Sequence, residues 1–382
     1  MEKMNRRLDL ARILSPLGAL TLAAVAFVPM SAFGSTAANT TIVNTATVNY
    51  NDAGNNPQTA VTATASVTVT LVPSAPLLSS PVAVPNASQG VPTVLSYTIT
   101  GTANGADAYT LGSNVVSSGV TAVTPAFPAS VTLGGTTLAS IALAGATSIL
   151  VPYDGVVSNA SLNSLVVGSV IVIGGNPYTI TSITKNVGAN TTTIGINAPL
   201  AAGTSDAAGL VVGETSTYAE TVPSGNVTSG TSGTETVTTT ATGTGGVTTT
   251  QATPTVITVS RPTLTVTKTV SIDGGNTFSA SANAPPLTTL VYKIVATNTG
   301  SSTAQVVAFT DLIPQYLTYV PNSGKFSTSA TATYSTGTTA VLDGAGGYTF
   351  IGNTVAYNPG GATGTVAGSG GVLILFFQAK IN

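Results

Sequence analysis

Short runs of alternating β-branched and polar residues recur along the chain and constrain its fold more than any other feature. Residues 94–100 (VLSYTIT) and 290–300 (LVYKIVATNTG) are two such runs, and an apolar side chain at every second position is the period of a half-buried strand. Clusters of Gly, Asn and Pro separate the runs, and no window sustains the 3.6-residue period of a helix. The pattern predicts an all-β protein.

The composition leaves little chemistry for catalysis. The 382-residue chain contains no His, no Cys and no Trp, and only 6% of its residues are charged. Hydrolytic and metal-dependent enzymes draw mainly on His, Cys and clustered carboxylates, whereas the carboxylates here are scattered without motif spacing. We therefore expect no enzyme, no cofactor and no catalytic or metal site.

Calcium is the one metal that the composition permits, because its ligands are carboxylate and amide oxygens. The loops over residues 51–55 (NDAGN) and 273–276 (DGGN) offer such oxygens. Neither loop has the spacing of an EF-hand, and a plain Asx turn is the alternative interpretation of each.

Residues 1–34 have the three parts of an export signal: a basic stretch, an apolar run over residues 13–30, and small residues at Ala32 and Gly34. An uncleaved membrane anchor is the alternative, but Pro16 and Pro29 interrupt a run that is already short for a span. The pattern predicts a secreted or cell-surface chain that begins near Ser35 and has no membrane span.

The charge of the secreted form argues against nucleic-acid binding. Four of the 10 basic and two of the 12 acidic residues lie before Ser35, so the remainder has a net charge of −4, whereas nucleic-acid binding needs clustered Lys and Arg. Without Cys there is no disulfide, so stability must come from packing and strand pairing. Attachment to a cell would then be non-covalent or supplied by another surface protein.

The remainder divides into a hairpin and two repeated units. Residues 35–75 predict an N-terminal β-hairpin, 76–262 a first module and 263–382 a second. Tyr97, Ile99 and Gly105 superpose on Tyr292, Ile294 and Gly300 at one constant offset, which indicates an internal repeat. Four short strand patterns within residues 130–213 predict a small β-barrel-like insertion in the first module.

Three segments resemble the DUF11 repeat family: LTVTKTV at 264–270, the long stretch over 291–323, and the NTATVNY hairpin at 44–50. The resemblance implies tandem immunoglobulin-like β-sandwich modules, of the kind found in secreted bacterial and archaeal surface proteins. In that family a module ends with an N-x-A-T-V hairpin. The second module stops at residues 373–382, one hairpin short, while the chain opens with a hairpin that completes nothing before it.

These mismatched ends predict strand donation from one subunit to the next, because an open sandwich edge recruits other strands. Two alternatives remain: the hairpin folds back onto its own second module, or it extends the sheet of the first. The candidate donor residues are apolar side chains of the hairpin: Val43, Ala46, Val48, Tyr50, Val67, Val69 and Leu71.

Lys268 is the most informative charge, because it alternates with Leu264, Val266 and Val270 on the expected core side of a strand. A buried ammonium needs a partner, and Asp311 is the candidate. The pair is either a buried ion pair or the site of a Lys to Asn isopeptide bond with Asp311 as proton shuttle. Asn298 and Asn382 are the asparagines considered for that bond.

Two functions of different classes follow. The first is a structural subunit of an extracellular filament or surface layer, a homopolymer assembled head to tail by the hairpin. The alternative is a monomeric secreted adhesin or carbohydrate-binding protein in which the insertion, with Tyr153 and Tyr178, recognises the ligand.

Overall fold

A computed structural model describes residues 36–81, 86–201 and 205–382, with residues 205–206 described by their backbone. The predicted export signal over residues 1–34 lies outside the described residues. Strands and their connections make up the described chain, with one 3-10 turn at Val187–Ala189. The all-β fold class is confirmed. Within the described ranges no helix has the length and apolarity to cross a membrane.

The N-terminal hairpin consists of β1 (Thr41–Val48) and β2 (Val61–Thr68). The strands pair antiparallel from Thr41 opposite Thr68 to Val48 opposite Val61. They form a two-stranded sheet that includes no other strand.

The strands of the first module, including those of the insertion, are β3 (Leu77–Leu78), β4 (Ala87–Ser88), β5 (Thr93–Thr100), β6 (Asp107–Ser118), β7 (Ser130–Leu133), β8 (Gly135–Thr137), β9 (Ala142–Leu143), β10 (Ser148–Pro152), β11 (Val170–Ile173), β12 (Asn176–Asn186), β13 (Thr191–Ile196), β14 (Ser205–Asp206), β15 (Val211–Val222), β16 (Ser232–Thr242), β17 (Thr248–Thr250) and β18 (Thr255–Ser260). The module is a β-sandwich whose two sheets are β4-β18-β16-β6-β7 and β3-β5-β15, with β17 paired to β16.

The core between these two sheets is mainly apolar but holds a carboxylate. Tyr97 and Tyr218 stack in it with ring centroids 5.4 Å apart. The fully buried Glu220 accepts hydrogen bonds from the hydroxyls of Ser113 and Thr239. These bonds join β15 in one sheet to β6 and β16 in the other, so the buried carboxylate has partners where burial would otherwise be costly.

The insertion is a barrel that shares a strand with the sandwich. The sheet that starts at β10 runs through β13, β12 and β11 to β15, and β8 pairs with β15. A hydrogen bond of 2.8 Å from the amide of Ala139 to the carbonyl of Leu150 connects the residues after β8 back to β10. The barrel has its own core, which includes Ile171 and Ile194.

The predicted bounds of the insertion, 130 and 213, do not coincide with breaks in the structure. β7 begins at Ser130 but pairs with β6 of the sandwich. Residue 213 lies inside β15, whose first half pairs with β8 and β11 and whose second half pairs with β5. A single strand can serve both units because each half buries its alternate side chains in a different core.

The strands of the second module are β19 (Leu264–Ser271), β20 (Thr289–Asn298), β21 (Phe309–Leu312), β22 (Leu317–Tyr319), β23 (Lys325–Ser327), β24 (Thr339–Ala340), β25 (Tyr348–Ile351), β26 (Thr354–Tyr357) and β27 (Gly371–Ile381). The module is a sandwich of two sheets. One sheet has the strand order β19-β20-β27-β23-β24, with β22 also paired to β27, and the other has the order β21-β26-β25. Ile294, Leu375 and Tyr357 lie in the core between the sheets.

The crossing of barrel and sandwich requires glycine at position 213. A Cβ atom there would lie 1.7 Å from the carbonyl oxygen of Gly101. We expect Gly213→Ala to lower the free energy of unfolding by about 1–3 kcal/mol or more, because the backbone has to move to make room. Urea unfolding of the purified chain measures the change.

Gly188→Ala is the matched control, because a Cβ atom at Gly188 would meet only the side chain of Asn186, at 4.0 Å. Equal stability of the two variants would contradict the close crossing.

Candidate functional site

The hairpin has two chemically different faces. In an antiparallel pair, residues directly opposite each other point to the same side, so the register assigns each side chain to a face. One face, here called the apolar face, consists of Ile42, Asn44, Ala46, Val48, Val61, Ala63, Ala65 and Val67. The other, here called the threonine face, consists of Thr41, Val43, Thr45, Thr47, Thr62, Thr64, Ser66 and Thr68.

Both faces are open to solvent, including the apolar one. Ile42, Val48, Val61 and Val67 are 51%, 60%, 57% and 66% exposed. An isolated two-stranded hairpin is marginally stable at best in water, and a contiguous exposed apolar patch marks an interaction surface. The hairpin therefore has the character of an element that lacks its partner.

The structure assigns the predicted donor residues to three different places. Ala46, Val48 and Val67 lie on the apolar face, whereas Val43 lies on the threonine face. Tyr50 follows the end of β1 and is 50% exposed. Val69 and Leu71 follow β2 and are only partly exposed, because the chain there joins the body of the protein.

A buried asparagine holds the base of the hairpin. The side-chain Oδ1 of Asn104 accepts from the amide of Val72 at 2.7 Å, and its Nδ2 donates to the carbonyls of Thr36 at 2.8 Å and Thr70 at 3.3 Å. The amide of Ala38 donates to the Asn104 carbonyl at 2.9 Å. One residue of the first module thus fixes both chain segments that flank the hairpin.

The insertion also contacts the base of the hairpin. The Asn163 Nδ2 donates to the carbonyl of Ala38 at 3.2 Å, and the Asn39 Nδ2 donates to the Asn163 Oδ1 at 3.0 Å. The Asn190 Nδ2 donates to the carbonyl of Thr41 at 3.1 Å. These bonds stop at the first residue of β1, so the strands themselves extend beyond them.

Two of the predicted arrangements are contradicted by this sheet order. The hairpin does not extend a sheet of the first module, and it does not pair with the second module of its own chain, because β1 and β2 pair only with each other in the described residues. The bonds at its base hold it against the first module and the insertion instead.

The first module contains a docked counterpart of this hairpin. β16 and β18 form an antiparallel pair, and β16 pairs with β6 from Ser118 opposite Thr234 to Thr110 opposite Thr242. The inward side chains Val237, Ala241, Ile257 and Val259 are fully buried. After Ser232, the outward side chains of β16 are all threonine: Thr234, Thr236, Thr238, Thr240 and Thr242.

In the described residues the second module has no such pair. β20 and β27 pair with each other as β5 and β15 do in the first module, but no strand pair equivalent to β16 and β18 lies beside β21. β21, which follows β20 as β6 follows β5, has β26 as its only strand neighbour in the described residues. The position that β16 occupies beside β6 is empty beside β21.

The inner face of β19 shows the consequence of this gap. Val266 and Lys268 lie opposite Ala296 and Ile294 of β20, which face the core. Yet Val266 is 64% and Leu264 is 42% exposed. The equivalent strand of the first module, β3, has Leu78 opposite Ile99 and packed against the core. We call the uncovered surface formed by Leu264, Val266, Lys268 and Asp311 the open groove.

Lys268 and Asp311 meet across this groove. The Lys268 Nζ donates to the Asp311 Oδ1 at 2.7 Å and lies 2.6 Å from its Oδ2. It also lies 5.0 Å from the centroid of the Tyr292 ring, a cation–π contact. Burial, and after it the nearby Asp311 carboxylate, raise the pKa of Tyr292.

The expectation that Lys268 is buried is wrong. Its side chain is 45% exposed, against 10% for Asp311. The register does place Lys268 on the core side of β19, but β19 is an edge strand, and among the described residues the other sheet of the module also ends at an edge strand, β21.

The asparagines considered for an isopeptide bond are engaged elsewhere. The buried Asn298 donates to the carbonyls of Ser302 and Val366 and accepts from the amide of Thr263. The Asn382 Oδ1 accepts from the Thr318 hydroxyl at 2.5 Å. The geometry at Lys268 is therefore that of an ion pair.

The two loops considered for calcium use their carboxylates within the loop. Asp52 accepts from the amides of Gly54 and Asn56, and Asp273 accepts from the amides of Asn276 and Thr277. Hydrogen bonds lower the pKa of both carboxyls, from Asn56 to Asp52 and chiefly from Ser271 to Asp273. In the described part of the chain, no group of three or more carboxylates is placed to hold a metal ion.

The aromatic residues proposed as ligand anchors are inside the insertion. Tyr153 and Tyr178 are 7% and 5% exposed, and the Tyr178 hydroxyl is 2.9 Å from the amide of Ala201. Tyr153 lies under the ammonium of Lys185, which forms a buried ion pair with Asp154. Both tyrosines stabilise the insertion and present little surface to a ligand.

Sequence reasoning missed Ile42, Val61, Ala63 and Ala65 of the apolar face and the role of Asn104. The face was recognisable from the strict alternation of Thr with apolar residues in 61–68 (VTATASVT). Asn104 carried no such signal, because the run Ala103-Asn104-Gly105 is typical of an ordinary turn.

No family model matches the chain, and no curated protein matches it. Among solved structures, it aligns with the C-terminal domain of the Streptococcus pyogenes antigen I/II-family protein AspA at 12% identity and a TM-score of 0.30, over 80% of this chain and 91% of that one. It aligns with the C-terminal domain of the Streptococcus agalactiae AgI/II polypeptide BspA at 12% identity and a TM-score of 0.28, over 77% and 86%.

A third alignment is with the collagen adhesin of S. aureus, at 12% identity and a TM-score of 0.21, over 78% of both chains. Scores this low carry no argument about fold or function.

Removing the Asn104 side chain tests its role at the base of the hairpin. We expect Asn104→Ala to free residues 36–72, because the substitution removes the hydrogen bonds to the Val72 amide and to the carbonyls of Thr36 and Thr70, at about 0.5–1.5 kcal/mol for each. Hydrogen exchange of this segment should accelerate relative to the second module. Asn51→Ala, at the exposed tip, should leave exchange at the base unchanged, and equal rates in both variants would contradict the assignment.

The ion pair predicts unequal effects of removing its two members. Lys268→Met leaves a nearly buried carboxylate without a partner and should cost about 1–3 kcal/mol at neutral pH. Asp311→Asn leaves an ammonium that is already half in water and should cost less. Urea unfolding of both variants measures the difference, and the reverse order would contradict the observed burial.

Proposed function

We propose that this protein is a structural subunit of an extracellular filament or surface layer, in which the hairpin of one subunit completes the second module of the next. The observation that carries the proposal is a pair of complementary defects. In the described residues, the hairpin of β1 and β2 is undocked and has an exposed apolar face, whereas the second module has no strand pair beside β21 where the first module has β16 and β18 beside β6.

The physical chemistry favours joining these two parts. Apolar surface in water is unfavourable, at roughly 25 cal/mol per Å², and an unpaired edge strand recruits another strand. A hairpin of this size would bury on the order of 2,000 Å² of total surface, which is in the range of permanent assemblies.

The hairpin and the second module are two different surfaces of the subunit. When the hairpin of one copy binds the second module of another, one hairpin and one second module stay free for further copies. Such a heterologous contact generates an open chain of subunits unless the rotation closes a ring. The export-signal pattern and the resemblance to modules of secreted surface proteins are consistent with assembly outside the cell. The buried positions of Tyr153 and Tyr178 remove the anchors that the carbohydrate-binding alternative required.

Paired charges on one face or the other of the hairpin test the proposal. Val48 and Val61 are directly opposite on the apolar face, and Thr47 and Thr62 are directly opposite on the threonine face. We expect Val48→Lys with Val61→Glu to abolish polymers, because the charged pair cannot enter an apolar interior. Thr47→Lys with Thr62→Glu should still polymerise.

Negative-stain electron microscopy and sedimentation of the secreted forms provide the measurement. Opposite charges face each other in both variants, so the hairpin keeps a favourable cross-strand pair in each. Monomers from the unmodified chain, or polymers from the apolar-face variant, would overturn the proposal.

A further inference from the structure

We infer that the hairpin of one subunit docks on the free edge of β21 in the preceding subunit, with β1 antiparallel to β21, β2 outside it and the apolar face turned onto the open groove. This inference rests on the proposed function and specifies its acceptor. The junction between subunits would then reproduce the junction between the two modules within one chain.

The first module supplies the template for this docking. β16, the first strand of its pair, lies against β6, and β18 lies on the far side of β16, followed by the two-residue strand β4. The pairings of β16 with β6 and with β18 are antiparallel. Transferred to the second module, this order places β1 beside β21 and β2 beyond β1, and extends the three-stranded sheet to five strands.

Two edge strands of the second module, β19 and β21, carry the residues of the open groove, and the template selects β21. β19 corresponds to β3, since both pair with the equivalent strands β20 and β5. In the first module β3 is itself a sheet edge with no strand beyond it in the described residues. β6, the counterpart of β21, is flanked on both sides, by β7 and β16. Of the two edges at the groove, β21 is therefore the one that lacks a neighbour that the sister module has.

The open groove fits the face that the hairpin would present. Docked beside β21, the apolar face would lie opposite Leu264 and Val266, as Val237 and Ile257 lie in the core that includes Leu78 in the first module. The threonine face would point outward, as the five threonines of β16 do. Lys268 and Asp311 would become covered, and their mutual bonding makes that burial tolerable.

The chain segment that leads into each module supports the equivalence of the two junctions. Asn104 in the first module accepts from the amide of Val72, just after the free hairpin. Asn298 in the second accepts from the amide of Thr263 at 3.0 Å, just after the docked hairpin. Nearby, a Cβ atom at Gly105 would lie 3.4 Å from the side chain of Leu71, after the free hairpin, and one at Gly300 would lie 2.3 Å from the carbonyl oxygen of Arg261, after the docked hairpin.

In both places an asparagine therefore holds the strand pair that precedes its module. The docked pair, β16 and β18, belongs to the core of the module before it. By the same relation, the free pair belongs to a module that would precede the first one. A second copy of this chain supplies such a module, namely its second module, which has no strand pair beside β21 in the described residues.

Engineered cysteines test the acceptor, since the chain has no cysteine of its own. One variant carries a single cysteine on the threonine face of β1, at Val43, Thr45 or Thr47 in turn. The other carries Thr310→Cys on β21, or Thr267→Cys on β19 as the matched control; both positions are exposed threonines on a free-edge strand. Opposite residues of paired strands are close enough for a disulfide.

The donor variant is isotopically labelled, mixed with the unlabelled acceptor variant in denaturant, refolded and mildly oxidised. We expect one β1 position to convert monomer to a disulfide-linked dimer with Thr310→Cys and not with Thr267→Cys. Mass spectrometry should find the linked peptides to be one labelled and one unlabelled.

The other outcomes separate this inference from the proposed function. Polymers that link through Thr267→Cys, or that link through neither position, would overturn the β21 acceptor and leave head-to-tail assembly standing. If the mixture stays monomeric, and a chain carrying both cysteines links only to itself, the assembly proposal fails as well.

Discussion

The pairing of strand edges is the interaction on which the whole structure depends. The chain has no disulfides and few charges, so each strand must satisfy its backbone groups in a neighbouring strand and bury one row of side chains. The first module meets both demands with two complete sheets. The second module leaves the edge of β21 unpaired, and the hairpin leaves its apolar row of side chains unburied. The two are complementary, because a hairpin beside β21 would pair that edge and bury that row.

Shared strands explain how the first module carries a barrel without becoming two separate bodies. β15 contributes one half to the barrel and the other to the sandwich, and glycine at 213 lets its backbone pass close to the carbonyl of Gly101 where the two cores meet. Asn163 and Asn190 of the barrel then contact the base of the hairpin. The insertion thus supports the hairpin at its base while leaving both its faces uncovered.

The open groove shows how one missing element changes the environment of residues far from it in sequence. Lys268 sits where Leu78 sits in the first module, yet a lysine is tolerated because water reaches its ammonium and Asp311 neutralises it. In a completed sandwich the same pair would be largely enclosed. A charged pair at such a seam gives little stability of its own, but it contributes to the choice of the partner surface that can cover it.

The sequence alone determined the all-β class, the internal repeat, the hairpin and the partners Lys268 and Asp311, because strand periodicity and turn residues act locally. It did not determine which side chains of β1 share a face with which side chains of β2, since that depends on register across the turn. Nor did it reveal that Lys268 is half exposed or that Asn104 holds the hairpin base. Those properties depend on which distant strands are present to cover a surface, and only the tertiary structure decides that.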